Sequence, residues 1–511
     1  MKRKLLYILL LGFIGLGSCK EGFLNLIPST SITSASYYKT ENDFDQAIIS
    51  AYEKMRAIAL DGVYMDEMRS DNTFFTFYAG DRSSFLGPEA IAEFLDDVAT
   101  TSYLSDRYGN VYTGISRVNT IFARIDGSEM TEDKKHTVLA QAFFLRAYYY
   151  FDLVQHWGPV PSMLKEVTSE ADAFQPNSTI DAIYEQIIKD LNEAIQIGLP
   201  VAETFPQSGR ATMGAAKMLL AYVYMTKPIR KYALAEAALI DITKMNYHLL
   251  GNYADVFNPT NKNNQESILE VQYKEGTGGQ ESTFDWQMIP KCSNIDFLMG
   301  ISTSNSTSLG WNVPTQEMID SYESGDERLN ASVAVAEGTL TGDVFTAKAV
   351  KDIAGYTPTA GKDYFYFVKK YYHPPHSMSF NSGDNFPVYR YSGALLLLAE
   401  CLVEQNKANE ALPYLNQVRS RAGLDPLPAA TKENVANEMR HELAFENHRW
   451  TDLIRTGKAI EVMTRKGEEM KSLHAWLLPA AFNITEDRLI YPFTYRELQV
   501  NKYLVQNPGY K

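Results

Sequence analysis

One short stretch of the chain combines the side-chain types that bind sugars in proteins. Asp71 and Asn72 can hydrogen-bond hydroxyl groups, and the aromatic residues Phe75 and Tyr78 follow closely. An aromatic ring stacks on the apolar face of a sugar, while its polar neighbours fix the hydroxyls. The stretch shows no helical periodicity, which predicts a loop. We therefore predict that Asp71, Asn72, Phe75 and Tyr78 contact a ligand.

Two tryptophans extend this predicted binding face. Trp286 and Trp311 both lie in irregular sequence, where a large ring is harder to bury completely. Stacking rings beside polar atoms favour an oligosaccharide as the ligand, although the sequence does not name which one. The alternative, that either tryptophan packs in a core beneath the long loops, stays open.

Residues typical of enzyme sites do not form a recognisable set. The chain contains neither G-x-x-x-x-G-K-[ST] nor G-x-S-x-G, the motifs of phosphate-binding loops and of serine hydrolases. His441 and Glu442 begin like a zinc-binding H-E-x-x-H helix, but Phe445 stands where the second histidine is needed. Glu442, Glu446 and Arg449 have helical spacing and are interpreted as a structural charge network. We assign no catalytic residue, cofactor or metal.

A surface-anchored hydrolase nevertheless stays open as a second class of function. The chain has 62 acidic residues, so counting carboxylates does not decide against a glycosidase. The net charge of −14 argues against nucleic acid as a partner.

The N-terminus predicts export and lipid anchoring. Three basic residues precede the apolar run 5–16, which is too short to span a bilayer. Leu16-Gly17-Ser18 then precedes Cys19, the pattern of a lipoprotein signal. Residues 1–18 are predicted to be the signal peptide, and Cys19 the lipidated residue; a plain secretory signal is the alternative. The remaining cysteines are Cys292 and Cys401, and a bond between them stays open.

Helical periodicity dominates the rest of the chain. Short helix pairs of the kind seen here stack into tetratricopeptide-like arrays. We predict a mainly α fold in a single domain, residues 19–511. Its parts are a helical scaffold (37–250 and 387–470), a loop-rich insertion carrying short strands (251–386) and a C-terminal wrap (471–511). Arg146 lies in an apolar helix and is expected to have a carboxylate partner.

The same stretches resemble a known family. The motifs that carry the resemblance are Phe386-Pro387-Val388-Tyr389-Arg390, ALPYLNQVRSRAG, ELAFENHRWTDLIRTG and the ending Gln506-Asn507-Pro508-Gly509-Tyr510. They are similar to the SusD/RagB family of bacterial surface lipoproteins. The resemblance implies a lipid-anchored protein of the cell outer membrane that binds nutrient oligosaccharide. It also implies delivery of that ligand to a SusC-like TonB-dependent outer-membrane transporter. A RagB-like peptide ligand is the alternative within the family.

Overall fold

The computed structural model describes residues 37–77, 86–100, 102–226, 228–301 and 310–510, so the predicted signal peptide and Cys19 lie outside the described residues. Helices account for about half of the described chain and strands for far less, so the prediction of a mainly α fold is confirmed. The α-helices are α1 (Glu41–Glu53), α2 (Met55–Gly62), α3 (Leu86–Ala92), α4 (Ser102–Arg124), α5 (Glu132–Trp157), α6 (Glu170–Ala173), α7 (Ile180–Ile197), α8 (Met213–Met225), α9 (Tyr232–Thr243), α10 (Phe284–Met288), α11 (Ile295–Met299), α12 (Gln316–Asp320), α13 (Glu327–Ser332), α14 (Tyr391–Glu404), α15 (Ala408–Arg421), α16 (Lys432–Glu442), α17 (Arg449–Thr456), α18 (Ala459–Leu473) and α19 (Tyr495–Val500).

Threonine caps explain where several of these helices begin. Thr179 accepts a hydrogen bond from the backbone of Ala182 at the start of α7. Thr431 accepts one from Asn434 at the start of α16. Each cap satisfies a backbone N–H that the first helical turn leaves without a partner.

Successive long helices pack side by side in one row. Helix α1 contacts α4, α4 contacts α5, α5 contacts α7, α7 contacts α8, α8 contacts α9, α9 contacts α14, and α14 contacts α15. A continuous cluster of buried apolar residues runs along this row. The chain between α9 and α14 therefore folds beside the row without interrupting it.

A buried ion pair joins two of these helices. Arg146 of α5 makes two hydrogen bonds of 2.8 Å to the carboxylate of Asp190 on α7. The expected carboxylate partner of Arg146 is thereby confirmed. This bidentate ion pair fixes the distance and the orientation between α5 and α7, because the planar guanidinium matches the carboxylate.

Short strands lie between α9 and α14, with one more near the N-terminus. They are β1 (Thr73–Phe75), β2 (Ser267–Val271), β3 (Asn312–Pro314), β4 (Val333–Thr341), β5 (Val344–Asp352), β6 (Asp363–Val368) and β7 (Phe386–Arg390). Strand β2 pairs antiparallel with β7, with Ser267 opposite Arg390. The two ends of the stretch between the helices are thus held together, while β5, β4 and β6 form a separate sheet in that order.

Two further observations concern the membrane and the cysteines. Within the residues that the structure describes, no helix combines the length and apolar character that crossing a membrane requires. Cys292 and Cys401 are both buried, lie in separate apolar clusters and are not bonded to each other.

Candidate functional site

Asp71 follows a π-helical turn (Val63–Glu67) that continues α2, and its carboxylate is buried. It accepts hydrogen bonds of 2.7 and 2.9 Å from Arg449 of α17, and Arg440 of α16 lies 3.2 Å away. Burial alone would raise the pKa of Asp71, but the two guanidinium groups hold that pKa well below its usual range. The side chain therefore fastens residues 71–77, called the Asp71 loop below, to two helices that lie far away in sequence.

Asn72 is also occupied by protein partners. Its amide nitrogen donates to Glu67 at 3.1 Å, and its amide oxygen accepts from Arg440 at 2.9 Å. The ammonium group of Lys466 donates to the backbone carbonyls of Ser70 and Thr73, and burial lowers its pKa to about 8. Asp71 and Asn72 are thus both buried and bonded to protein groups, whereas the sequence predicted that they contact a ligand.

Phe75 and Trp311 are brought together by strand pairing. Phe75 of β1 lies opposite Asn312 of β3, the residue after Trp311. The two rings lie 6.3 Å apart in a small buried cluster with Tyr64 and Met68. Trp311 is only 5% exposed, so it offers little surface for stacking. Both rings are therefore buried, whereas the sequence predicted that they contact a ligand.

Trp286 lies in a different part of the molecule. Its side chain on α10 is 0% exposed and packs with Phe367 of β6 and Ile289. The alternative reading, a core tryptophan beneath loops, describes it correctly, because the β5–β4–β6 sheet covers the ring on one side. Tyr78 lies outside the described residues.

A partly exposed aromatic patch, which the sequence reading missed, lies beside the loop. We define the patch as Phe74, Phe77, His474 and Trp476. The rings of Phe77 and Trp476 stack with centroids 4.5 Å apart and planes 14° apart. Phe74 stacks on His474 at 5.8 Å, and His474 lies 5.4 Å from Trp476. Flanking residues Leu473 and Leu478 are 63% and 55% exposed, so the patch continues as apolar surface.

A signal for this patch was present in the sequence. Trp476 follows α18 in the stretch His474-Ala475-Trp476-Leu477-Leu478, where apolar side chains come after a helix has ended. Only the folded chain places that stretch against Phe74 and Phe77, which lie about four hundred residues earlier.

Glu442 and Glu446 of the H-E motif lie in a buried charge network, as interpreted from sequence, but Arg449 has a different partner. Glu442 accepts hydrogen bonds from Arg390 at 2.9 Å and from Arg328 at 3.2 Å. Glu446 is bound by Arg390 and Lys370, whereas Arg449 pairs with Asp71. Burial and the surrounding arginines lower the pKa of His441 to about 3. Among the described residues, no group of three or more His, Cys, Asp or Glu side chains is placed to hold a metal ion.

Models of known protein families match both the N-terminal and the C-terminal half of the chain. A family model described as the SusD family matches residues 265–510, and one described as "Starch-binding associating with outer membrane" matches residues 23–225. The chain belongs to the SusD/RagB family. The resemblance carried by its motifs is therefore confirmed.

Individual relatives span nearly the whole SusD-family chain. It is 27% identical over 542 residues to SusD-like protein P25 of Formosa agariphila, with 97% of each chain covered. Among solved structures, a "Laminarin binding SusD-like protein" superposes with a TM-score of 0.73 at 26% identity, covering 93% of this chain and 100% of that one. Surface glycan-binding protein A from Bacteroides thetaiotaomicron, in complex with laminarihexaose, has a TM-score of 0.73 and 22% identity over 92% of this chain and 100% of that one, a likeness of fold alone.

Proposed function

We propose that this chain is a surface-exposed lipoprotein of the outer membrane that binds a nutrient oligosaccharide and delivers it to a SusC-like TonB-dependent transporter. The observation that carries the proposal is the partly exposed aromatic patch beside the Asp71 loop. Similarity to a laminarin-binding SusD-like protein and to the starch-binding family model supports a carbohydrate as the ligand.

In this proposal the aromatic patch contacts the ligand, and the Asp71 loop gives the patch a fixed support. The outer face of Trp476, which is stacked on Phe77, packs against a sugar ring, which gains dispersion and removes apolar surface from water. Asp71 and Asn72 act from beneath, because their bonds to Arg449, Arg440 and Glu67 hold the loop in place. Phe75 and Trp311 support the loop from its other side. A rigid support lowers the entropy lost when ligand binds.

A binding role is favoured over hydrolysis by the state of the motif carboxylates. Glycosidases need one carboxyl group that can donate a proton and a second that stays ionised. Glu442 and Glu446 are instead buried and held by arginine and lysine side chains, which keep the pKa of both groups low. These contacts support a structural role for both residues.

A binding measurement tests the ligand part of the proposal. Full-length protein in mild detergent is titrated with laminarin oligosaccharides, starch oligosaccharides and a peptide library. Trp476→Ala is expected to weaken glycan binding about tenfold or more, with the melting temperature nearly unchanged. Trp286→Ala is the opposite case: it should lower the melting temperature, by loss of about 3–5 kcal/mol of core packing, without changing glycan affinity.

Tyr503→Ala is the matched control for Trp476→Ala. Tyr503 is 63% exposed on the C-terminal segment and is expected to leave binding unchanged. Equal affinity of the wild type and Trp476→Ala would place the glycan elsewhere, and selective binding of peptides would favour the RagB-like alternative.

Co-purification tests the transporter part. The tagged lipoprotein, extracted from outer membranes in mild detergent, should carry a β-barrel protein of the TonB-dependent type with it. The row of packed helices supplies a broad and rigid surface for such a complex. Repeated recovery of the lipoprotein alone, under conditions that preserve other outer-membrane complexes, would contradict this part.

A further inference from the structure

A polar cavity lies inside the helical scaffold, apart from the aromatic patch. Its volume is about 90 Å³, and it lies between the π-helical turn, helix α5, strand β7 and the segment 446–451. The lining combines charged groups, neutral polar groups and aromatic rings.

The charged side chains that line the cavity are already paired, either with one another or with nearby residues. Asp66 lies 2.6 Å from His156 through one carboxylate oxygen and 2.7 Å from Arg107 through the other. Arg107 also binds both oxygens of Asp152, and Glu446 is held by Arg390 and Lys370. A charged ligand would therefore meet no unpaired counter-charge, and burying it would be costly.

The neutral groups of the lining, in contrast, have hydrogen-bonding capacity to spare. The side-chain oxygen of Asn447 is buried and has no partner among the described residues, while its nitrogen is fixed on the carbonyl of Ala59. Tyr148, Tyr389 and Gln155 also line the cavity and bring two hydroxyl groups and an amide to it. The unpaired oxygen of Asn447, beside these further polar groups, points to a ligand that supplies hydrogen-bond partners.

One wall of the cavity and its approach are apolar. The rings of Tyr222 and Tyr389 stack 5.6 Å apart, and Phe386 and Val271 extend the wall. Gln155 and Thr451 line both the cavity and an adjoining groove of about 420 Å³, which continues over Ile180, Tyr184 and Ile454. Part of the groove is at the surface, since Ile180 is 37% exposed.

We propose that this cavity is a second binding site, which takes a small uncharged polyhydroxy compound such as a single hexose. A sugar ring offers several hydroxyl groups to Asn447, Tyr148, Tyr389 and Gln155 and an apolar face to the stacked tyrosines. The cavity has room for roughly six to nine water molecules at about 10–15 Å³ each, which suits one ring and excludes a chain. Burial lowers the pKa of His448, so its ring joins the lining as a neutral group.

Ligand-observed NMR of full-length protein in mild detergent tests this proposal, with glucose, galactose and myo-inositol as probes. Tyr148→Phe and Tyr389→Phe each remove one hydroxyl and keep the ring, so the cavity wall is retained. Each is expected to weaken binding about fivefold, the loss of one neutral hydrogen bond. Glucuronate and glucosamine should bind at least about tenfold more weakly than glucose, because the cavity has no counter-charge to offer.

Tyr150→Phe is the matched control on the same helix. Its hydroxyl donates to the carbonyl of Met163, and it does not line the cavity, so hexose binding should be unchanged. Trp476→Ala should also leave hexose binding unchanged, which separates this site from the proposed glycan surface. A cavity that holds water only, with no saturable binding of any probe, would overturn the proposal. Binding that is lost in Trp476→Ala but kept in both cavity variants would overturn it too.

Discussion

Asp71 shows how a single buried carboxylate can secure a loop to two helices. Its two partners, Arg449 and Arg440, approach from two different helices, and all three groups are largely removed from water. Removing one member of a buried pair leaves the other charges uncompensated, which usually costs about 3–5 kcal/mol. The stability of the loop should therefore depend on the ionisation of this one group.

Asp71→Asn is expected to lower the free energy of unfolding by about 3–5 kcal/mol at pH 7. Because the folded-state pKa is depressed, the stabilisation is complete above the unfolded-state pKa of about 4 and is lost as the pH falls through the folded-state value. Denaturant unfolding at pH 7 and at pH 3 should thus show a smaller difference between variant and wild type at the lower pH. Asp343→Asn, at an exposed turn between β4 and β5, is the control and should change little.

At the scale of elements, the close approach of α4 and α5 requires a glycine. A β-carbon built on Gly114 of α4 would lie 2.5 Å from the ring of Tyr149 on α5. The hydroxyl of Tyr149 donates to the carbonyl of Ala51, which joins α1 to the same contact. The packing of α1, α4 and α5 thus requires that position 114 carries no side chain.

Gly114→Ala is expected to destabilise the protein by roughly 1–3 kcal/mol, the usual cost of overpacking. Gly109→Ala on the same helix is the matched control, since nothing lies within 4 Å of its added β-carbon. Replacing glycine by alanine in an open helical position should stabilise by up to about 1 kcal/mol. Equal effects of the two substitutions in thermal unfolding would contradict the close contact.

At the scale of the whole molecule, the proposed role requires that the folded chain stay at the outer membrane. Cys19, after Leu16-Gly17-Ser18, is the predicted attachment point. More than one acyl chain on a lipoprotein cysteine suffices for stable anchoring.

Cys19→Ala is expected to shift the protein from the outer-membrane fraction to the soluble fraction, because no lipid is then attached. Cell fractionation in a strain without the partner transporter measures this, so that docking does not mask the loss. Cys401→Ala is the control, since Cys401 is a buried residue of α14. Persistence of the Cys19→Ala variant in the outer membrane of that strain would refute the anchor.

Local sequence patterns were sufficient to predict the mainly α fold and the family. Apolar periodicity acts over a few residues, so it can be recognised without knowledge of tertiary contacts. The need of Arg146 for a carboxylate also followed from the sequence, because a buried lone charge is unfavourable anywhere.

Only the tertiary structure decided which rings and polar groups of the candidate site are exposed. Trp286 lies on the short helix α10 beneath the β5–β4–β6 sheet, whereas Trp476 lies in an irregular stretch and stays partly exposed. The sequence predicts that Asp71 contacts a ligand, but the fold places Arg449, 378 positions later, beside its carboxylate. Burial and ion pairing between such distant residues depend on how whole elements pack, which local sequence patterns do not encode.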